Sequence, residues 1–299
     1  IRQAFDFGGG SHWEDGKNVL KRLPDGEVGK ELNNALQRMS KWRDSSASGR
    51  SKPGIDDKVL IGWTALAVTG LAKAGRAFSE PAWVHRALKG GQFLLNLARI
   101  PGRADLLRRS WHAKGGPETE GFAEDYAFTI EALLTLHQTT LAPKWREEAR
   151  ALMATAMDRF LDESGTSFWF TARDGERLFA RNRSVEDSVL PSANAVMAAN
   201  LWKLGWAWDI PTWRDLAQTM VNQRLADVVN LSHATVWADA ALDMGLPYAT
   251  IAVAANNQHE LQRALIGCGV AHEDKVLPDR LMQLPRHPPD GSRFRPLSL

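Results

Sequence analysis

Several features that mark other protein classes are scarce in this 299-residue chain. Its single cysteine, Cys268, excludes an internal disulfide and any Cys-x-x-Cys redox or zinc motif. No apolar run reaches the roughly 18 residues that a membrane-spanning helix needs. Lysine and arginine number 37 against 35 aspartates and glutamates, with no basic stripe. We therefore expect no membrane and no nucleic acid among its partners, and a reducing compartment, the cytoplasm, as its location.

The signatures of several catalytic classes are also missing. There is no His-Glu-x-x-His and no other tight ligand spacing, so we expect no metal. There is no Gly-x-Ser-x-Gly elbow. The glycine run at 7–11 lacks the strand and helix that a phosphate-binding loop requires, and no cofactor is expected. Residues 1–20 carry three acidic side chains and no apolar core, unlike a secretory signal.

What the sequence does contain is a repeat. The pattern Pro-x-Trp-x-x-x-Ala begins at Pro81, Pro143 and Pro211, at separations of 62 and 68 residues. Each copy follows a long apolar segment and opens an amphipathic one. Proline suits the first position of a helix, where its missing N–H needs no partner. The sequence therefore predicts three helical hairpins, each made of a buried helix, a tight turn and a half-exposed helix.

Stacked hairpins form open solenoids or closed rings. The period here exceeds the roughly 34 to 47 residues of common helical solenoid repeats, which favours a ring. We predict a mainly α fold, an (α/α)6-type toroid of helical hairpins. A fourth buried helix is predicted over 231–243 and an outer helix over 27–43. Because a closed ring needs six inner helices, we expect this toroid to be incomplete.

The connections and the tail have a different character. Residues 166–172 and 177–183 are predicted as a strand hairpin that turns at Asp174-Gly175. After the fourth helix, short strand-like and helix-like segments follow one another. We therefore predict two domains: the toroid portion over 1–245 and a small α/β tail over 246–299, packed on the toroid.

An acidic pair precedes each of the three apolar segments, at 56–57, 124–125 and 186–187. If equivalent helices begin on one rim, these pairs converge on a concave mouth. Carboxylates a few ångström apart raise one another's pKa and can perform acid/base chemistry. Acidic residues are equally suited to capping helix N-termini, and that structural role is the more common one. His233, at the start of the fourth helix, is the best additional base.

The candidate residues therefore form two groups. The predicted catalytic residues are Asp57, Asp125, Asp187 and His233. The predicted substrate-binding residues are polar and aromatic neighbours that would contact a sugar-like molecule: Asp56, Trp63, Glu124, Tyr126, Ser192 and Asn194.

Three segments, 56–75, 121–140 and 185–205, resemble motifs of the spermatogenesis-associated, YyaL-like family. Members of that family join a thioredoxin-like domain to a toroid that is similar to N-acylglucosamine 2-epimerases and six-hairpin glycosidases. The resemblance implies carbohydrate metabolism, and this chain would correspond to the later part of the toroid and the tail. The chain departs from the family's motifs at Thr64, Ser188-Val189, Ala193 and Ala195.

Two functional hypotheses follow. In the first, the chain is an enzyme-like toroid that acts on a sugar or sugar-like small molecule by epimerisation or hydrolysis. In the second, it is a non-catalytic binding or assembly subunit, which completes its ring with a second chain or associates with itself through its N-terminal flank. The retained acidic pairs favour the first, which we prefer. The altered motifs and the shortened ring favour the second.

Overall fold

The structure is a computed structural model, and it divides the chain into two compact units, Ile1–Asp56 and Asp57–Leu299. It describes residues 5–6, 21–22, 29–49, 51, 54–116, 118–228 and 233–245. Among these residues, no helix is both long enough and apolar enough to cross a bilayer.

The described residues of the second unit form three helical hairpins and one further helix. Its helices are α2 (Ile61–Ala77), α3 (Pro81–Asn96), α4 (Ala123–Thr140), α5 (Pro143–Phe160), α6 (Ala193–Ala207), α7 (Pro211–Val228) and α8 (Thr235–Gly245). Helices α2, α4, α6 and α8 pack on one another in that order as an inner layer. Helices α3, α5 and α7 each pack on the inner helix of their own hairpin. The predicted hairpins are confirmed, with each repeat proline opening the second helix of its pair.

The three hairpin turns share one backbone feature. Ser79, Leu141 and Asp209 have positive φ angles of 55°, 56° and 49°, and each lies two residues before the repeat proline. Left-handed backbone is uncommon for residues other than glycine, but it is a frequent way to end a helix. The repeat therefore encodes one turn geometry three times, although the left-handed residue itself varies.

Close helix approach explains two glycines in these hairpins. A Cβ atom on Gly75 would lie 2.7 Å from the Val84 side chain, and one on Gly205 would lie 2.7 Å from Arg214. Both glycines lie six residues before the repeat proline. The equivalent residue of the middle hairpin is His137, whose Nδ1 lies 3.0 Å from the Ala142 carbonyl oxygen. The middle turn therefore has a contact between the His137 ring and the Ala142 carbonyl, in addition to the backbone hydrogen bond from the Leu141 N–H to the His137 carbonyl.

The inner helices differ in how completely they are covered. Helices α4 and α6 are buried along most of their length, as predicted. The same prediction is wrong for α2, which buries one face through Ile61, Ala65 and Val68 but leaves Ala67 exposed and Trp63 55% exposed. The reason is positional: α3 and α4 cover one side of α2. An apolar composition alone does not determine how many neighbours a helix has.

The strands of the second unit are short. Up to residue 245, where the described part ends, they form two antiparallel pairs, β3 (Val59–Leu60) with β6 (Ser110–Trp111) and β4 (Arg99–Ile100) with β5 (Arg103–Leu107).

The predicted strand hairpin over 166–183 is wrong. One backbone bond of the expected kind remains, from Phe170 N–H to the Asn182 carbonyl at 2.7 Å, but no regular ladder forms in this segment. Side chains instead form hydrogen bonds with backbone groups that would pair with each other in a strand ladder. The Asn194 amide accepts from the Phe168 N–H at 2.7 Å and donates to the Phe168 carbonyl at 3.0 Å. The segment is therefore an irregular loop, pinned to the start of α6.

The first unit contains β1 (Phe5–Asp6) paired with β2 (Lys21–Arg22), α1 (Lys30–Arg43) and a 3-10 turn at Ser46–Ser48. Helix α1 corresponds to the predicted outer helix and begins three residues later than 27. None of its residues is buried.

Some predictions lie outside the described residues. These are the tail domain over 246–299, Cys268 and the glycine run at 7–11. The domain boundary predicted at residue 245 therefore stays a prediction. The predicted fourth inner helix is present as α8, which begins at Thr235 and buries Trp237 and Ala240.

Candidate functional site

Asp125 links the N-termini of two neighbouring inner helices. Its Oδ2 accepts the backbone N–H of Phe122, the residue that precedes its own helix α4, at 2.8 Å. Its Oδ1 accepts the N–H of Gly62, in the first turn of α2, at 3.0 Å. Leu60, which precedes α2, has no side-chain oxygen and cannot cap that helix itself. The cap for α2 is therefore supplied by another helix.

Arg109 completes this buried cluster. Its Nη1 lies 2.6 Å from Glu124 Oε1 and 3.0 and 3.1 Å from the two oxygens of Asp125. The Asp125 side chain is 0% exposed. Burial raises the pKa of Asp125 to about 6, although the Arg109 charge and the Phe122 N–H both act to lower it.

Asp187 makes the same pair of bonds at a second junction. Its Oδ1 accepts the backbone N–H of Ser192, which immediately precedes α6, at 2.8 Å. Its Oδ2 accepts the N–H of Val236, in the first turn of α8, at 2.9 Å, and the Thr235 hydroxyl at 2.8 Å. Ala234, which precedes α8, has no side-chain oxygen and cannot cap that helix itself. Each of the two aspartates thus joins the first turns of two adjacent inner helices.

This pattern joins the helix starts two by two, α2 with α4 and α6 with α8, and gives Asp125 and Asp187 a structural role. The oxygens of Asp125 and Asp187 are held by backbone amides. A carboxylate fixed in this way stabilises the helix ends by satisfying N–H groups that would otherwise lack partners. The catalytic roles predicted for these two residues stay predictions.

The remaining candidates lie in varied settings. Asp56, Asp57 and His233 are exposed. The His233 carbonyl accepts the Asp187 N–H at 2.9 Å. Tyr126 is fully buried in the core, with its hydroxyl accepting the Leu107 N–H at 3.0 Å.

The two candidates at the start of α6 are both buried. Ser192 accepts the Ala195 N–H at 3.1 Å as the cap of α6. Asn194 also lines a cleft. Its amide nitrogen also donates to the Ser184 carbonyl at 3.1 Å.

The cleft has a volume of about 500 Å³ and lies between the loop 162–185 and helices α6, α7 and α8. We call it the α6–α8 cleft. Its walls include Trp169 from the loop and Trp237 from α8. The Trp237 indole N–H donates to the Val185 carbonyl at 2.7 Å, which fixes the loop against α8.

Charged residues in the cleft are mostly basic. Arg181, Arg183 and Arg224 line it, together with one acidic residue, Asp162. The Cζ atoms of Arg183 and Arg181 lie 3.8 and 4.9 Å from the centre of the Trp169 ring, within the range of cation–π contacts.

The Asp162 side chain is buried and accepts several hydrogen bonds. It accepts from the Ser164 hydroxyl, the Thr166 N–H and Arg183, at 2.8, 3.1 and 2.8 Å. Burial opposes its ionisation, but these hydrogen bonds and the Arg183 charge outweigh that effect and lower its pKa. The carboxylate therefore orders the loop and neutralises one arginine.

Most residues of this cleft are not among the predicted site residues. Because residues 166–183 are predicted to form a strand hairpin, the sequence predicts no binding role for Trp169, Arg181 and Arg183. One signal was present: Arg181 and Arg183 are two residues apart, a spacing that places side chains on the same side of an extended segment. Arg224 and Gln223, at the end of α7, carried no comparable signal.

The sequence matches no model of a known protein family. It is 30% identical over 191 residues to spermatogenesis-associated protein 20 of Homo sapiens, covering 62% of this chain and 24% of that protein. It is 28% identical over 203 residues to an uncharacterized protein of Caenorhabditis elegans, covering 63% of this chain and 27% of that protein. The chain thus spans about a quarter of the length of these curated relatives. The similarity confirms the resemblance to the spermatogenesis-associated proteins.

A solved structure with a similar fold is a GH76 α-mannanase of Bacteroides thetaiotaomicron. The TM-score is 0.51 at 13% sequence identity, and the match covers 87% of this chain and 74% of the mannanase. The fold predicted from the hairpin repeat, that of the helical toroids, is confirmed.

Proposed function

We propose that this chain binds a sugar-like small molecule in the α6–α8 cleft. The observation that carries the proposal is the cleft itself, whose volume of about 500 Å³ is within the usual range of small-molecule sites. Its lining combines aromatic rings with side chains that donate and accept hydrogen bonds, including Ser167, Asn182 and Gln223. Such groups match the hydroxyls of a sugar. The name of the structurally similar mannanase supports this ligand class.

We propose binding without catalysis, because the cleft lacks a suitable pair of acidic groups. Glycoside hydrolysis needs two carboxyl groups, roughly 5 to 9.5 Å apart, one of which donates a proton. Asp162 is the one carboxylate among the described residues that line the cleft, and its lowered pKa disfavours proton donation. Of the four predicted catalytic residues, Asp57, Asp125, Asp187 and His233, none lines the cleft.

The test measures binding and turnover in parallel. Titration calorimetry with mannose, glucose and their disaccharides should detect binding, and Gln223→Leu should weaken it about tenfold by removing one hydrogen-bonding group. Asn222→Leu is the matched control, because Asn222 lies next to Gln223 on α7 and bonds to Gln218 outside the cleft. Absence of binding to every sugar, or an equal loss in both variants, would contradict the proposal. Release of 4-nitrophenol from 4-nitrophenyl mannoside would restore the enzyme hypothesis.

A second candidate function is self-association through the N-terminal flank. Helix α1 leaves Met39 56% and Trp42 59% exposed. Leu32 lies seven residues before Met39, and Ala35 seven before Trp42, the a/d spacing of a helix seam. We infer that α1 of a second copy packs on this stripe of Leu32, Ala35, Met39 and Trp42. In a twofold dimer, the same surface of each copy forms the contact. Light scattering should give a dimer that Trp42→Glu converts to a monomer, while a wild-type monomer would exclude this function.

A further inference from the structure

The loop 162–185 carries an exposed aromatic side chain close to the α6–α8 cleft. Phe179 is fully exposed, and Leu178 beside it is 42% exposed. Arg181 and Asn182, two and three residues further along the chain, line the cleft. We propose that Phe179 contacts the bound ligand, and that the segment 175–180 folds over the cleft to bring it there. This inference rests on the proposed sugar binding and adds to it a ligand-contacting residue and a closing segment.

The segment 175–180 is fixed on both sides and makes few contacts between them. Before it, the Asp174 carboxylate accepts from the Arg159 guanidinium at 2.8 Å. After it, Arg181 donates to the Thr171 carbonyl at 2.5 Å. Every residue of the segment is exposed, and its last five form no hydrogen bond or ion pair with the described part of the chain. A segment with so few contacts of its own can change conformation while its surroundings stay folded.

The distance from this segment to the cleft is short. An extended chain advances at most about 3.6 Å per residue, so the Phe179 backbone lies within about 7 Å of the Arg181 backbone. A change of backbone dihedral angles between Leu178 and Ala180 can therefore turn the ring toward the cleft without moving the two fixed ends. At the other end of the segment, Gly175 is the residue type that accepts the widest range of backbone conformations.

The tryptophans of the cleft wall have little open surface for a ligand. The Cζ atoms of Arg181 and Arg183 lie 4.9 and 3.8 Å from the centre of the Trp169 ring. Trp237 is 2% exposed. Much of the aromatic surface in the wall is therefore already covered by protein. A sugar carries C–H groups on the faces of its ring, and Phe179 closing over such a face removes apolar surface of both from water.

Ligand binding and closure are coupled through this contact. Without a ligand, the Phe179 ring gains little by turning toward an open cleft. With a sugar in place, closure buries the ring, and burial of a phenylalanine side chain corresponds to about tenfold or more in affinity. Because the ligand interacts more favourably with the closed arrangement, it shifts the population toward that arrangement.

Titration calorimetry on the full chain, with mannose, glucose and their disaccharides, tests the ring contact. Phe179→Ala should lower the affinity for the sugars that bind about tenfold, because it removes the aromatic ring. Phe179→Tyr keeps the ring and should bind as the wild type does. Val189→Ala is the matched control, because Val189 is 96% exposed, is apolar and does not line the cleft.

Limited digestion with trypsin measures closure of the segment directly. Arg177 is exposed and lies two residues before Phe179, so trypsin should cut after it readily in the absence of sugar. With a saturating concentration of the same sugar, cleavage after Arg177 should slow by about fivefold or more, because a protease needs an open, accessible segment. Lys114 is the internal control, since it is exposed in the connection before α4 and does not line the cleft.

The outcomes distinguish failure of closure from failure of sugar binding. Equal affinity of the wild type and Phe179→Ala for a sugar would overturn the ring contact and leave sugar binding intact. Unchanged cleavage after Arg177 with sugar bound, or equal slowing after Arg177 and Lys114, would overturn closure in the same way. Absence of binding of every sugar to the wild type would contradict the proposed function and this inference together.

Discussion

The α2–α4 junction and the α6–α8 junction use the same device in different surroundings. In each, one aspartate accepts the N–H before one inner helix and an N–H in the first turn of the next. Asp125 is sealed in the core and paired with Arg109, whereas Asp187 is half-buried and bonds to the Thr235 hydroxyl in place of a cation.

Asp125 and Asp187 do not line the α6–α8 cleft, so the junctions that they form and the cleft are separate features. At the first junction the two helices pack closely, and the carboxylate occupies the space between their ends. At the second, residues of the loop 162–185 and of helices α6, α7 and α8 line an open cleft. Most residues that line the cleft therefore belong to the connection between two hairpins, whereas the two aspartates join the ends of the helices.

The largest effect on stability is expected when the buried aspartate, Asp125, is replaced. Asp125→Ala should lower the free energy of unfolding by about 3 to 5 kcal/mol, because it removes one of the two carboxylates that pair with Arg109 and leaves two helix amides unsatisfied. Urea unfolding followed by circular dichroism measures this change. Asp125→Asn, which keeps one acceptor oxygen, should cost less. A loss below about 1 kcal/mol for Asp125→Ala would mean that the buried link is not structural.

Measuring the free energy of unfolding across a pH series tests the effect of burial on Asp125. Because the folded-state pKa of Asp125 is raised from 3.8 to about 6, the folded chain holds this proton more tightly than the unfolded chain. The contribution of Asp125 to stability is then largest below pH 4 and falls as pH rises to about 6, by about 3 kcal/mol. The difference in unfolding free energy between wild type and Asp125→Asn, measured across this window, isolates the effect. A difference that grows with pH in favour of wild type would contradict it.

The smallest effect is expected at the second junction. Asp187→Ala should lower the free energy of unfolding by about 1 to 2 kcal/mol, the usual cost of a lost helix cap, because water can reach the freed amides. The same urea titration measures it beside Asp125→Ala. If the two alanine variants lost equal stability, burial and the Arg109 pair would not be what separates the junctions.

The hairpins could be predicted from the sequence because their signal is local. Proline at the first helical position, with an apolar segment before it, fixes each hairpin within a few residues. The repeat could not show that α2 has one face uncovered, since that depends on what packs beside it.

The roles of individual side chains could not be predicted, because they depend on distant partners. Glu124 and Asp125 are adjacent acids, and only the structure shows that Asp125 reaches Gly62 in another hairpin. Arg109 lies in a connection and carries no motif. Asp187 lies five residues before the cap of α6, whereas Asp125 lies within α4, so their equivalence is one of geometry and not of sequence position.

The shared carboxylates also couple the hairpins energetically. When the segment that carries one of these aspartates unfolds, the adjacent module loses the acceptor for its first-turn amide and is destabilised in turn. Such nearest-neighbour terms, as in an Ising chain, suppress partly unfolded species. Helices α2 and α4 should therefore unfold together, as should α6 and α8, although the hairpins look separable when the repeat is read along the sequence.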